Sequence, residues 1–572
     1  MRPLAFAAKL TTAGETGPQR LVPLLDLVVL QILVWAGIVV AQQLHRPGWQ
    51  GAVAGLMVGL LVAAPVVRGT TAPRALALRG RYLRNRRRRT RKRAGKTGPG
   101  PLPAEPFDVP TADGLQIGFR WNGTTLLSLL RIDENPRALT VLEPGVTVSG
   151  EMVPVQALLD CLRQFDITLE SIDIISQGAR SAGHTDVAAV YDSVLGPLPA
   201  IAQRTVWIAV RFNPSRCAEA VRRRGGDRDG ILRAATTATR RVANRLAEAG
   251  LQPQFLSASG IAAATNQLSD GVNLGSVEET WEDCREGHFR LSSFAVQPDM
   301  LTTAGLGLLW TVPSYSTTVC LSLREAPDHG GEQDLVQVRG LVRFDSDVRV
   351  PTQLRGLTPL HGQQFSALAA TLPIPAVPGA GRLAHWASGL RGDALSELAL
   401  PASGCGQVIG ADQEGRAVAL PVFGPQIRRV AIIGTLHLAQ QVVLRALALG
   451  ARVLVHSRRP AFWRDMVDVV GRHDLLWVAD FNRRAIQAGA ERNYTVEMFD
   501  GVPEQSVRIG VTTMVLAPPN TAASDNADVV LDLISLEHDT VKVSTQAGSA
   551  VVTMVATDDE MRYLRASANS TD

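Results

Sequence analysis

Lysine is nearly missing from this chain: only Lys9, Lys92, Lys96 and Lys542 occur among 572 residues, and the basic residues are otherwise arginine. Cysteine is scarce too. Cys161, Cys217, Cys284, Cys320 and Cys405 lie far apart with no CxxC pair, which excludes the usual zinc spacings, and their odd number argues against a disulfide framework. Reduced, mostly buried thiols are expected. The ten histidines form no HExxH pair, and no GxSxG nucleophile turn is present. Acid is missing from one stretch: residues 74–96 hold 12 Lys/Arg and no Asp or Glu. The remainder carries 46 basic against 53 acidic residues, a net of −7. A pI of about 9.1 therefore does not describe a basic folded surface, and a nucleic-acid binder is excluded.

What is present begins with two apolar runs. Residues 21–44 are interrupted only by Asp26, Gln31, Gln42 and Gln43, and residues 51–67 hold no charge. A signal peptide fits poorly, because the first run is long and the second follows at once. Two spans of a bilayer joined by a tight loop are expected, with a tail at 1–20 and the hairpin at 21–70. Arg2, Lys9 and Arg20 precede the hairpin, only Arg46 sits in its loop, and the arginine run follows it. The positive-inside rule then places the N-terminus and the large C-terminal module in the cytoplasm, against the inner (plasma) membrane. Gly51, Gly55 and Gly59 recur every fourth residue and form a smooth strip, for packing within the hairpin or against another subunit. Asp26 lies inside the first run, where it must reach the interface or find a partner.

Arg84, Arg86, Arg87, Arg88, Arg89, Arg91, Lys92 and Arg93 make a basic neck at 71–106, which ends in a Pro/Gly linker. Beside a span, such a run binds anionic lipid; an acidic partner surface is the other reading.

The rest of the chain alternates strand and helix patterns. Runs at 115–121 and 124–132 flank Asn122-Gly123, a hairpin turn. A helix over 154–164 is expected to feed a strand at 167–175. TVWIAVRF at 205–212 reads as a buried strand, and 231–250 as an amphipathic helix closed by Gly250. Strands at 317–323 and 335–344 and a helix near 363–371 complete a mixed-sheet α/β domain over 107–375. After a linker (376–404), strands at 427–434, 452–456, 475–479, 514–517 and 529–533 give 405–572 a smaller Rossmann-like α/β rhythm.

Four patterns are candidates for chemistry, and each has a weakness. Gly95-Lys96-Thr97 lacks the first glycine of a P-loop, and Gly379-Ala380-Gly381 lacks its preceding strand. The turn Gly434-Thr435-Leu436-His437 precedes a basic pair, Arg458-Arg459, placed as for a 2′-phosphate, but has one glycine where dinucleotide sites need several. Asp227-Arg228-Asp229 and Asp345-Ser346-Asp347 spell DxD, the metal–sugar-nucleotide pattern, although Asp227 and Asp229 are also placed to cap the following helix. No catalytic, cofactor-binding or metal residue is assigned.

The hairpin, the basic neck and the strings CLRQFDI (161–167), IDIIS (172–176) and RTVWIAVR (204–211) resemble the EccE family, a membrane subunit of the mycobacterial type VII (ESX) secretion machinery. The resemblance covers the hairpin and about 107–375. It implies a non-enzymatic subunit of an inner-membrane complex with EccB, EccC and EccD, a more loosely associated mycosin protease, and a soluble domain that is glycosyltransferase-like in fold without catalytic groups. Two rivals stand beside it: a membrane-bound glycosyltransferase using the DxD positions, and a membrane tether that binds NADP.

Overall fold

The computed structural model describes residues 24–568 apart from 64, 68–69, 94–103, 112, 134–138, 144–145, 148–149, 184, 288, 327–334, 347–354, 376–382, 384–385, 392–394, 480–493, 505–507, 523 and 525. It is an α/β protein built on two large sheets, preceded by a helical hairpin and a third, basic helix.

The first sheet is organised around the strand Gln203–Phe212. It pairs with Ser171–Ala179 on one side and Leu126–Ile132 on the other. Its side chains alternate between two cores, as the pleat requires. Val206, Ile208, Val210 and Phe212 join the cluster beneath the helix Asp227–Glu248, while Trp207 and Ala209 join the cluster beneath Ala258–Leu268 and Gln364–Ala370. Both faces are thus covered, which is why this strand reads as a continuous apolar run. The Asn122-Gly123 turn forms as expected. Gly123 has φ +95°, and the Asn122 side-chain carbonyl accepts from the amides of Thr124 (3.0 Å) and Thr125 (2.8 Å).

Two local expectations change. Where a mixed sheet was expected, every pairing in this sheet is antiparallel, through Leu335–Ser346 and Phe289–Val296 to one edge and Gln116–Trp121 to the other. The helix expected over 154–164 stops after one turn, Val155–Leu159. Gln164 is drawn away by hydrogen bonds from its Nε2 to the carbonyls of Cys161 (2.9 Å) and Ala238 (3.4 Å), and the chain turns instead into a two-residue hairpin between Arg163–Gln164 and Ile167–Thr168.

The second sheet is mixed. Its parallel part runs, edge inward, Leu476–Val478, Val453–Ser457, Val496–Asp500, Thr512–Ala517, Arg429–Ile433 and Val529–Ser535. Two strands therefore separate Arg429–Ile433 from Val453–Ser457, its successor in the chain. In a dinucleotide-binding fold those two strands are neighbours, so the expected Rossmann-like order is not the one formed. Antiparallel strands complete the sheet, the outermost drawn from the other half of the chain: Thr140 pairs with Ala419, Val141 with Val418 and Leu142 with Ala417. The helix Asp186–Leu195 also packs on this side, with the Val408 amide donating to the Tyr191 hydroxyl at 2.9 Å.

The C-terminal helix Asp558–Ala568 is held by a buried ion pair. Arg445 Nε donates to Glu560 Oε1 at 2.7 Å and Nη2 to Oε2 at 2.9 Å, while Nη1 reaches the carbonyls of Val408 (3.0 Å) and Ile409 (2.9 Å). Both side chains are 2% exposed. Removing one member leaves the other charged, buried and unpaired, at a cost of about 3–5 kcal/mol. Glu560→Ala is expected to lower the unfolding free energy of the C-terminal core by that amount and to expose its terminal helix to amide exchange. Glu560→Gln, which keeps an acceptor, is expected to cost less.

All five cysteines are free and buried. Burial pushes the thiols of Cys161 to about 11 and of Cys320 and Cys405 to about 12, so thiolate is scarce at neutral pH. Titration with a chromogenic disulfide at pH 8 is expected to find these three unreactive in the folded chain and reactive after denaturation.

Candidate functional site: the helical hairpin and the basic helix

The two apolar runs form the helices Leu24–Gln43 and Gly48–Ala63, closed by a tight turn in which His45 has φ +53° and the Arg46 amide donates to Ala41 O at 2.8 Å. The glycine strip faces the partner helix of the same hairpin. A Cβ on Gly51 would overlap the Gly37 carbonyl oxygen, one on Gly37 the Gly51 oxygen, and one on Gly55 the Leu33 oxygen; on Gly59 it would lie 2.5 Å from Leu30 Cδ1. Of the two expected roles for Gly51, Gly55 and Gly59, packing within the hairpin is the one the geometry supports. The sequence reading missed Gly37. The signal was there: Gly37 and Ala41 are a small pair four residues apart on the first helix, facing the strip on the second.

The outward surface of the hairpin is apolar nearly all round, with Trp35 70% and Met57 65% exposed beside Ile32, Val39, Val40, Val53 and Leu60. A patch of that kind marks an interface with lipid or protein. The second expected span is shortened, however. The second helix ends at Ala63, where Pro65 begins a short strand in place of a helix to 67. Among the described residues no helix is long and apolar enough to cross a membrane. The side chain of Asp26 lies outside the described residues.

The expected neck is instead a helix, Ala72–Arg93, in which arginine is a good helix former. It docks on the first α/β layer through Tyr82, which is buried. The Tyr82 ring meets Trp281 edge-on at 5.4 Å, its hydroxyl donates to Glu279 O at 3.3 Å, and Trp281 stacks on His361 at 5.8 Å. The Arg79 guanidinium lies 5.5 Å from the Trp281 ring, and Arg86 pairs with Glu278 at 3.2 Å. The exposed ion pair adds little; the aromatic contacts fix the helix. Arg84, Arg86 and Arg87 are exposed, while Arg88, Arg89, Arg91, Lys92 and Arg93 continue the helix with side chains outside the described residues.

The candidate catalytic patterns come apart. Asp227 and Asp229 are exposed in the first turn of Asp227–Glu248, but the cap position is Gly226, so neither side chain caps the helix and only the dipole favours them. Asp345 and Ser346 sit buried at the end of the strand Leu335–Ser346, and Asp347 lies outside the described residues. Gly95-Lys96-Thr97 and Gly379-Ala380-Gly381 also lie outside them. At Gly434 a Cβ would meet Leu533 Cβ at 2.9 Å and Leu438 Cδ2 at 3.2 Å, so leucines fill the space where a phosphate would approach. Arg459, half of the basic pair read for a 2′-phosphate, is committed to Asp500: Nη2 lies 3.1 Å from Oδ1 and Nε 3.1 Å from Oδ2. Asp500 in turn accepts from Ser457 Oγ at 2.7 Å and Trp463 Nε1 at 3.0 Å. Among the described residues no three His, Cys, Asp or Glu side chains converge as metal ligands.

Residues 200–296 match the family described as "Putative type VII ESX secretion system translocon, EccE". Over 277 residues the chain is 30% identical to the ESX-5 secretion system protein EccE5 of Mycobacterium marinum, covering 45% of this chain and 65% of that one. It is 22% identical over 454 residues to the ESX-2 secretion system protein EccE2 of Mycobacterium tuberculosis, covering 77% and 81%. It is 22% identical over 361 residues to the ESX-1 secretion system protein EccE1 of Mycolicibacterium smegmatis, covering 63% and 68%. The chain is similar to the EccE family, through the model match over residues 200–296 and through relatives that it covers in part. The matched span 200–296 holds the central strand Gln203–Phe212 and the helices Asp227–Glu248 and Ala258–Leu268, so the part that carries the EccE likeness is the two-faced core of the first sheet.

The glycine crossing yields a direct test. Gly55→Leu or Gly51→Leu keeps the helix apolar but is expected to force the two helices apart. A Cβ on Gly48 would make an ordinary contact, 3.7 Å from Ile38 Cγ2, so paired cysteines at positions 38 and 48 are expected to cross-link in the otherwise wild-type hairpin and to lose that link when Gly55→Leu is added.

Proposed function

We propose that this EccE-like chain is a non-catalytic scaffold subunit of a type VII (ESX) secretion complex in the bacterial plasma membrane, supporting protein export without performing chemistry. The observation that carries the reading is the location of the family match on a packed core, in a chain whose candidate catalytic residues, among those described, are exposed in a helical turn, buried in a strand or held in a structural ion pair.

The apolar surface of the hairpin is the part that meets the bilayer. At 1.5 Å per residue Leu24–Gln43 extends about 30 Å, comparable to the hydrocarbon thickness, and Gly48–Ala63 about 24 Å. The second helix is shorter than the hydrocarbon core, and its proposed crossing requires local thinning of the bilayer. The charge asymmetry around the hairpin sets both ends on the cytoplasmic side. Arg84, Arg86, Arg87 and the rest of the basic run then lie at the inner headgroup layer, where each charge contributes about 1 kcal/mol toward anionic lipid. Partners are the EccB, EccC and EccD type membrane subunits, with a mycosin protease more loosely held. The energy for export comes from another subunit.

Deleting the gene is expected to abolish export of the system's substrates and to remove or shrink the membrane complex on a blue-native gel. The wild-type chain is expected to restore both, and so is a chain with Asp227→Asn and Asp229→Asn. A metal–sugar-nucleotide enzyme would lose activity by orders of magnitude in that variant. Export lost in a double mutant that still assembles would refute the scaffold reading.

A further inference from the structure

The basic helix Ala72–Arg93 has two sides with different surroundings. Leu78, Tyr82 and Asn85 recur at four- and three-residue spacing and share the covered side. Tyr82 is buried against Trp281, and Leu78 and Asn85 are half-buried. Leu76 and Leu83 stand on the side turned away from them. Seven residues apart, they fall within about 20° of one another around the axis. They are 71% and 46% exposed. On the same side, a Cβ on Gly80 would meet nothing within 4 Å, so among the described residues no other element lies over this surface. Arg84 and Arg87 flank the leucines and are exposed.

Charge and chain continuity indicate what covers it. Residues 74–96 hold 12 Lys/Arg and no acid. Among the described residues the ion pair of this helix is Arg86 with Glu278, while Arg81, Arg84 and Arg87 meet no carboxylate, so the positive charge is not cancelled within the fold. The helix also starts directly after the apolar hairpin. Gly48–Ala63 is followed by a short antiparallel turn of Pro65–Val67 with Thr70–Thr71, and that turn holds the start of the basic helix near the end of the hairpin. Exposed leucines set among arginines, on a helix leaving a membrane hairpin, match an interfacial helix that lies in the plane of the headgroups. We propose that Ala72–Arg93 is such a helix: Leu76 and Leu83 dip about 5–10 Å into an anionic lipid surface, Arg84 and Arg87 meet its phosphates, and Tyr82 on the opposite side carries the folded module. The helix is then a layer between bilayer and protein, and it fixes which side of the first α/β layer faces the membrane. The inference rests on the reading that the hairpin sits in the bilayer.

A polarity-sensitive fluorophore on a cysteine at position 76 or 83 tests it, in the full chain reconstituted in vesicles of phosphatidylcholine and phosphatidylglycerol. Labels at Met57 on the hairpin and at Phe165, on the turn between Arg163–Gln164 and Ile167–Thr168, serve as the lipid and water references; these residues are 65% and 93% exposed. At 76 and 83 the emission is expected to shift to the blue and to be quenched by lipids with a nitroxide near the headgroup. The quenching is expected to fall in pure phosphatidylcholine and at high salt. Water-like emission at both positions, with the Met57 label in lipid, would overturn the proposal and leave the bilayer reading of the hairpin standing. A Met57 label in water would overturn both. Labels that are in water in the vesicles but shielded in the native membrane would assign this side to a protein and overturn the lipid. Leu83→Gln, read from the label at 76, supplies the second measurement. Leu83 is not buried by the fold, so the melting temperature in detergent is expected to match wild type, while the ratio of lipid-bound to free helix falls about ten-fold. Unchanged quenching in that variant would also overturn the proposal.

Discussion

The fold rests on one strand whose two faces must both be dry. Gln203–Phe212 sends Val206, Ile208, Val210 and Phe212 one way and Trp207 and Ala209 the other, and a helical layer closes each side. At 1% exposure or less, these residues leave no room for a ligand path through the sheet. Everything placed on the layers inherits its position from that closure. Asp227–Glu248 props the Phe165 hairpin from one side, while the elements around Gln364–Ala370 offer Trp281 and His361 to the basic helix on the other.

The same strand begins the connection between the two sheets. At its first residue, Gln203 Nε2 donates to Leu449 O at 3.1 Å, and just beyond the preceding strand Ala182 N donates to Ala448 O at 2.8 Å. The strand Thr140–Glu143 crosses into the second sheet, and Tyr191 receives the Val408 amide, its hydroxyl pushed beyond its usual range by complete burial. A division of the chain between 375 and 405 is therefore spanned by strand pairing, helix packing and hydrogen bonds. The two sheets are joined by these contacts, and a displacement of one is felt by the other because packed interiors transmit strain.

Much of this was legible where chemistry is local. The Asn-Gly hairpin, the buried strand at 205–212 and the long amphipathic helix are encoded by neighbours within a few residues, and they fall where the pattern puts them. What was hidden depends on distant partners. Nothing near 154–164 reveals that Gln164 will be bonded to Ala238, so the expected helix overran its one real turn. The order of the parallel strands is set by which helix crosses which strand, and a β–α–β rhythm is the same for many orders. Of the candidate site, the glycine strip and the arginine run were legible as patterns. Their settings, Gly37 across the hairpin and Trp281 beneath Tyr82, were not, because each needs a residue from another element.

The second sheet shows what a ligand-binding architecture becomes when its crevice is closed. In an open parallel sheet the carboxyl ends of the strands, where neighbouring connections leave in opposite directions, form the natural crevice for a nucleotide. Here Arg429–Ile433 occupies such a place, between Thr512–Ala517 and Val529–Ser535, and its turn leads into a helix capped by Thr435. A phosphate would need bare backbone there. Leu438 and Leu533 cover it instead, and the helix that would face a ligand is buried along its length, from Leu436 to Ala448. Its one buried cation, Arg445, faces Glu560 rather than a ligand anion. Apolar filling and an internal counter-ion exchange binding for rigidity: the helix is fixed from both sides, and the C-terminal segment is fixed to it.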